Sequence, residues 1–169
     1  MDNPTSTVAR TIQGLVLDVD GVLTNGHIIY SDKGEELKHF HVRDGASIKL
    51  LMQQGIEVAI ITGRESKMVT RRARELGVRY LKQGVGSKPA ALEQLVTAGF
   101  PGQNLAAVGD DLQDIDLFKS ERVALSFAVA DAHPATQANA TLVTTSAGGT
   151  GVCAEIARVL LQAQDKWPY

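Results

Sequence analysis

Residues 15–25, Leu-Val-Leu-Asp-Val-Asp-Gly-Val-Leu-Thr-Asn, run an apolar strand directly into two carboxylates, and this stretch limits the possible folds more than any other. Leu15, Val16 and Leu17 form an unbroken apolar run, the pattern of a strand covered on both faces. Asp18 and Asp20 then stand at its carboxyl end, the edge where open parallel α/β sheets gather ligands. Gly21 and Gly26 let the chain turn sharply away. Asp and Gly also suit ordinary turns, so a plain strand end is the alternative reading. Against it stands the cost: two acids beside an apolar strand repel each other unless a cation or a proton lies between them. A divalent ion resolves that conflict.

A chain of 169 residues, 44% of them hydrophobic, is long enough for one good core and short for two, so a single domain over residues 1–169 is expected. With 17 basic and 19 acidic residues the net charge is −2, so no global field points to nucleic acid or an anionic membrane. No run approaches the roughly 18 apolar residues of a membrane span, and the polar start lacks a signal pattern. A soluble, cytoplasmic protein is expected. The one cysteine, Cys153, has no intramolecular partner, which agrees with a reducing compartment. Its place on an amphipathic helical pattern makes it a small core residue rather than a reactive thiol.

In chain order, residues 1–10 read as a loose arm and the first strand as about 12–18. An alternating segment follows, His27 to Tyr30 and Leu37 to Val42 about the turn-forming Ser31 to Glu35. It predicts a β-hairpin, a flap over about 26–43 inserted after the acidic strand end. Asp44 reads as the N-cap of a helix carrying Ile48, Leu51 and Met52. A buried parallel strand over 56–62 ends in Thr62-Gly63-Arg64, a hydroxyl and a guanidinium suited to an anion. Ser66 caps the next helix, whose Arg71, Arg72 and Arg74 are mostly a solvated face, with Arg64 or Arg72 able to face the crevice. Gln83 to Pro89 lacks the Gly-Lys-Ser/Thr of a Walker loop, yet Pro89 places Lys88 at a helix start, where anions are favoured. The strand over 104–108 ends in Gly109-Asp110-Asp111, with Asp114 and Asp116 beyond. Further alternation closes the chain with a helix bearing Val152, Ile156, Val159 and Leu160 on one stripe. The sum is a three-layer α/β/α, Rossmann-like domain with right-handed crossovers.

Strand ends and one helix start thus deliver Asp18, Asp20, Thr62, Lys88, Asp110 and Asp111. Together they supply a nucleophile, a second carboxylate for proton transfer, an acidic metal ligand, and a hydroxyl and a cation for phosphoryl oxygens. Asp-x-Asp-Gly-x-x-Thr at 18–24, Thr62 in Ile-Thr-Gly-Arg, Lys88 and Gly-Asp-Asp at 109–111 with Asp114 resemble the haloacid dehalogenase superfamily of phosphohydrolases. Further features are similar to its small, capless group, the 3-deoxy-D-manno-octulosonate 8-phosphate phosphatases. They are the hairpin, Val42-Arg43-Asp44-Gly45, Val129 to Pro134, and Gly148-Gly149-Thr150-Gly151 with Glu155.

That resemblance implies a haloacid dehalogenase-like fold and a magnesium-dependent phosphatase of lipopolysaccharide precursor synthesis, acting on a small phosphorylated sugar acid. Asp18 would attack phosphorus and become an aspartyl phosphate, with Asp20 as acid and then base. Mg2+ would be held by the Asp18 carboxylate, the Asp20 backbone carbonyl and the Asp110 carboxylate. Thr62 and Lys88 would bind phosphoryl oxygens, while Asp111 and Asp114 orient a metal-bound water or Lys88. The resemblance also implies a homotetramer whose four hairpins meet in a central barrel. It implies too that Gly148–Gly151 and the tail Lys166–Tyr169 reach a neighbouring site. Arg64 and Arg72 are candidates for the substrate carboxylate. Thr150 and Ala154 stand where Arg is expected, which leaves a nine-carbon ulosonate 9-phosphate as the alternative substrate. From other classes, a receiver-like signalling domain separates its acids onto different strands, and a catalytically idle interaction module is a third reading.

Overall fold

The computed structural model describes residues 4–169. In chain order its elements are α1 (Pro4–Ala9), β1 (Gly14–Leu17), β2 (Ile29–Tyr30), β3 (Glu36–Leu37), α2 (Val42–Gln53), β4 (Glu57–Ile61) and α3 (Lys67–Leu76), then β5 (Tyr80–Lys82), α4 (Lys88–Thr97), β6 (Leu105–Gly109), α5 (Leu112–Phe118), β7 (Val123–Ala128), α6 (Pro134–Asn139), β8 (Leu142–Val143) and α7 (Val152–Ala163). Six of the strands form one sheet in the order β5-β4-β1-β6-β7-β8, every pair parallel.

The period of two along buried strands builds two cores from one sheet. Leu15, Leu17, Val58, Ile60 and Val108 point to the side covered by α2, α3 and α7. Val16, Ala59, Ile61, Leu105 and Ala107 point to the side covered by α4 and α5. Both faces are therefore dry, which is why β1 and β6 carry no alternating polar residue. Each of the fully buried leucines on these strands contributes about 1.5–3 kcal/mol by leaving water.

From β1 the chain moves outward to β4 and β5, then returns to β6 on the other side of β1. Strand order reverses there, and such a reversal opens a crevice at the carboxyl ends. Leu17 is level with Ile60 and with Val108, so Asp18, Thr62 and Asp110 leave the sheet at nearly one height.

Three expectations need correction. The part of the expected loose arm at residues 1–3 lies outside the described residues, but Pro4–Ala9 is helical, with Ala9 buried. Its end is tied down by Gln164, whose amide donates to the carbonyls of Ala9 and Ile12. Asp44 is not an N-cap of α2. His41 takes that place, its Nδ1 accepting from the Arg43 amide at 3.1 Å, and Asp44 is buried one turn further on. The hairpin is shorter than its alternation suggested, with only β2 and β3 paired, antiparallel and apart from the main sheet. Cys153 is fully buried, and burial pushes its thiol well above the usual range, in keeping with a core role. Among the described residues no helix is long and apolar enough to cross a membrane.

Candidate active site

A crevice of about 580 Å³ opens at the carboxyl ends of β1, β4 and β6, lined by Asp18, Asp20, Thr62, Arg64, Lys88, Asp110, Asp111, Gln113 and Asp114 among others. Asp18 directly follows β1 and is buried, as are Thr62, Lys88 and Asp114. Lys88 enters from the first turn of α4, its helix start fixed by Pro89 and by Ser87, which accepts from the Ala90 amide. Its Nζ lies 3.0 Å from Asp18 Oδ1 and 2.5 Å from Asp114 Oδ1.

Asp114 spends its acceptors inside the protein. Besides Lys88, it accepts at Oδ2 from the amides of Asp110 and Asp111, at 2.9 and 3.2 Å. Asp114 thereby holds the Lys88 ammonium in position. Asp111 is exposed and caps α5, taking a hydrogen bond from the Leu112 amide in a capping box with Asp114.

Asp110 is held differently. Among the described residues its carboxylate has neither a hydrogen bond nor an ion pair, and it stands against the Cα of Gly21. A Cβ at Gly21 would come 1.9 Å from Asp110 Oδ2, and Gly21 has φ +88°. The glycine after Asp20 is thus required twice over, for the turn and for the approach of this acid. Burial first, then the charges of Asp18 and Asp114, push the Asp110 carboxyl up to about 8. Burial likewise raises Asp18 to about 6, with Lys88 opposing.

Oxygens of Asp18, Asp110 and Asp114 lie within 4.8 Å of one another. Because Asp114 already accepts three hydrogen bonds, Asp18 and Asp110 are the pair with more lone pairs to offer. Two desolvated carboxylates make a hard-oxygen donor set, which suits magnesium and lacks the nitrogen or sulfur that zinc favours. The residues present fit the ion.

Asp20 points away from this pair toward the hairpin, its Oδ1 accepting from Lys38 Nζ at 2.5 Å and its Oδ2 lying 3.7 Å from Arg64 Nε. The sequence reading missed Lys38, Glu36 and Gln113. The signal for the first two was the same alternation that marked the hairpin, since Glu36 and Lys38 share the face opposite Leu37. Gln113 lines the crevice from α5 with no pattern to announce it.

The two candidate arginines part company. Arg64 is at the crevice mouth. Arg72 is not among its lining residues: its guanidinium lies 5.7 Å from the centre of the Phe40 ring and reaches the His41 carbonyl. In the 148–151 segment, Gly148 and Gly149 pack on the loop after Asp20, with the Gly149 amide donating to the Val22 carbonyl at 2.9 Å. Asp131 accepts from the Gly148 amide, and Glu155 holds the amides of Thr145 and Ser146. The tail lies at the other end of the sheet, Lys166 donating to the Gln54 carbonyl at the end of α2.

The profile of the family described as haloacid dehalogenase-like hydrolase matches residues 80–156. A 3-deoxy-D-manno-octulosonate 8-phosphate phosphatase of Salmonella typhi is 48% identical over 161 residues, spanning 95% of this chain and 85% of that protein. The crystal structure of such a phosphatase from Yersinia pestis superposes with a TM-score of 0.91 at 43% identity, covering 96% of this chain and 87% of that one. One from Moraxella catarrhalis, in complex with magnesium ion, phosphate ion and a KDO molecule, gives 0.91 at 38% identity over 98% and 94%. A receiver domain does not describe a chain that matches phosphatases over nearly its whole length. By its fold, by the acids gathered at the switch point and by identity over nearly its whole length, this chain belongs to the haloacid dehalogenase-like hydrolases and, within them, to the family of the 3-deoxy-D-manno-octulosonate 8-phosphate phosphatases.

Proposed function

We propose that this chain is a magnesium-dependent phosphomonoesterase that releases phosphate from 3-deoxy-D-manno-octulosonate 8-phosphate through an aspartyl phosphate on Asp18, in lipopolysaccharide precursor synthesis. The observation that carries the reading is the convergence of Asp18, Asp20, Thr62, Lys88 and Asp110 on one crevice. These groups come from three strand ends and one helix start.

Asp18, Asp110 and the backbone carbonyl of Asp20 would hold magnesium. When bound, the ion offsets the crowded acids and draws charge from the phosphoryl oxygens. The chain's own groups do the rest. Lys88 and Thr62 hold the phosphoryl group in line with the Asp18 carboxylate, which attacks phosphorus as the bond to the sugar oxygen breaks. Asp20 gives a proton to that oxygen. It then takes one from the water that cleaves the aspartyl phosphate, regenerating Asp18 and releasing phosphate. Arg64, 43% exposed at its side chain, would meet the substrate carboxylate.

The chain works as one domain with its hairpin as a flap, in the cytoplasm, and assembles as a homotetramer. Support for the assembly comes from apolar side chains the hairpin leaves in water: Ile28, Tyr30 and Leu37 are 41%, 63% and 47% exposed. An isolated two-stranded hairpin is marginal by itself. Thr150 and Ala154 favour one second reading, a nine-carbon ulosonate 9-phosphate as substrate.

A panel of eight- and nine-carbon keto-sugar-acid phosphates, with glucose 6-phosphate and p-nitrophenyl phosphate, separates these readings. Turnover that favours the octulosonate phosphate, requires magnesium and vanishes in Asp18→Asn is the expected result. Preference for the nine-carbon acid overturns the substrate. Appreciable turnover by Asp18→Asn overturns the mechanism.

A further inference from the structure

Four charged groups of alternating sign close a ring at the mouth of the crevice, and two of them belong to the hairpin. Lys38 Nζ donates to Asp20 Oδ1 at 2.5 Å and lies 3.5 Å from Glu36 Oε1. Arg64 Nη2 donates to that same Glu36 oxygen at 3.1 Å, while its Nε stands 3.7 Å from Asp20 Oδ2. The two cations differ in one decisive respect: the Lys38 side chain is 1% exposed and that of Arg64 is 43% exposed. An ammonium so deeply buried must recover its lost hydration from fixed partners. Among the described residues its partners are the carboxylates of Asp20 and Glu36. It is too enclosed to meet a substrate or to take part directly in phosphoryl transfer.

Resting on the phosphatase reading, we propose that Lys38 is a positioning residue for Asp20, pinning Oδ1 so that Oδ2 is the oxygen that faces the leaving group and carries the proton. An unrestrained aspartate rotates about its last torsion between two nearly equivalent settings, and only one presents a proton to a given acceptor. With Oδ1 accepting from Lys38, the proton resides on Oδ2 and passes to the sugar oxygen as its bond to phosphorus breaks. The carboxylate left behind keeps the Lys38 hydrogen bond, and Oδ2 then takes the proton of the attacking water. Arg64 is the exposed member of the ring. Its longer contact with Oδ2 and its exposure let it leave for the substrate carboxylate, uncovering the oxygen that must act. Glu36 anchors both cations, so the acid is set only while the hairpin is seated.

The test compares kcat/KM for 3-deoxy-D-manno-octulosonate 8-phosphate, whose alcohol must be protonated to leave, with p-nitrophenyl phosphate, whose phenolate leaves unaided. Because kcat/KM covers steps up to formation of the aspartyl phosphate, the later role of Asp20 with water does not enter. Lys38→Met keeps the length of the stem and deletes the ammonium. It is expected to lose at least about 30-fold on the sugar phosphate and under about threefold on the nitrophenyl ester, within the range a general acid commands. Lys38→Arg should recover most of that loss. Adding Lys38→Met to Asp20→Asn should cost nothing more on the sugar phosphate, as expected of two residues acting as a unit. If Lys38→Met does not fold, Glu36→Gln carries the test with the same split at smaller size. Equal losses on both substrates, no loss on either, or losses that multiply in the double variant overturn the assignment of Lys38 alone. A wild-type chain inactive on every ester overturns the phosphatase reading itself, and this proposal with it.

Discussion

Asp44, on the first turn of α2, accepts a hydrogen bond at 2.7 Å from the amide of Cys153, at the start of α7 and 109 positions further along the chain. Gly151 is the N-cap of α7 and has no side chain to offer, so Asp44 supplies the cap from another helix. Among the described residues its second oxygen has no hydrogen-bond partner, and burial, the largest influence, raises its carboxyl above the usual range. Asp44→Ala is expected to cost about 2 kcal/mol, a fall in Tm of about 4–8 °C for a domain of this size. Asp44→Asn, which keeps an acceptor without a buried charge, should cost less than half as much. Thermal unfolding followed by circular dichroism decides it, and equal losses for the two variants would show that the charge, rather than the cap, is what α7 uses.

The loop that α7 anchors bears on the turn after Asp20. A Cβ at Gly148 would come 2.0 Å from the Gly21 carbonyl oxygen and 3.0 Å from that of Thr24, both backbone atoms that cannot rotate aside. Gly148→Ala must therefore part the two loops and move the turn between Asp20 and Asp110. A loss of kcat/KM of at least about tenfold is expected, since sub-ångström displacements of reacting groups have effects of that order. Steady-state kinetics on p-nitrophenyl phosphate check it, and an unchanged kcat/KM would mean that the loops separate without disturbing the acids.

Stability should depend on pH in a direction set by metal. In the absence of a cation, the folded carboxyls of Asp110 and Asp18 are raised from 3.8 to about 8 and about 6. Above pH 3.8 the unfolded chain has released these protons while the folded chain still holds them, so the folded state binds more protons and loses stability as pH rises. Chelated protein should thus lose Tm steadily between about pH 4 and pH 8 from this pair. Magnesium takes the deprotonated acids, so the rise in Tm on adding about 5 mM Mg2+ should be several degrees at pH 8 and close to nil at pH 5. Differential scanning fluorimetry across that range would refute the pairing if the magnesium increment were flat.

The proposed assembly through the hairpin gives a mass as well as a surface to test. Sedimentation is expected to show a species about four times the chain mass of 18.1 kDa at micromolar concentration. Leu37→Asp, which places a charge on an apolar side chain now 47% exposed, should shift it to smaller species. A wild-type monomer would remove the hairpin barrel from the account and leave the chemistry of the crevice intact.

The sequence by itself determined the sheet and the groups at its carboxyl edge. Unbroken apolar runs that end in Asp, Thr or Gly-Asp-Asp are local signals, and a parallel sheet has no place for those polar side chains except beyond the strand ends. Asp18, Thr62 and Asp110 were legible for that reason, Lys88 because Pro89 marks a helix start, and the motif resemblance gave them roles. Residues whose place depends on segments far apart in the chain were not legible. Asp44 carries the local mark of an N-cap and caps a different helix, because α2 and α7 meet only through the packed core. Arg72 has the charge for a substrate carboxylate but lies over Phe40, on a side of α3 that the sequence does not distinguish. Pro4–Ala9 is too short to show a helical period and is held by α7. Lys38 was the most consequential omission: nothing near it in sequence marks a buried ammonium, and only the folding of the hairpin onto the mouth of the crevice brings it to Asp20. Local patterning decides which residues leave the sheet at its edge, whereas long-range packing decides which of them touch, because contact across a loop is a property of the closed chain.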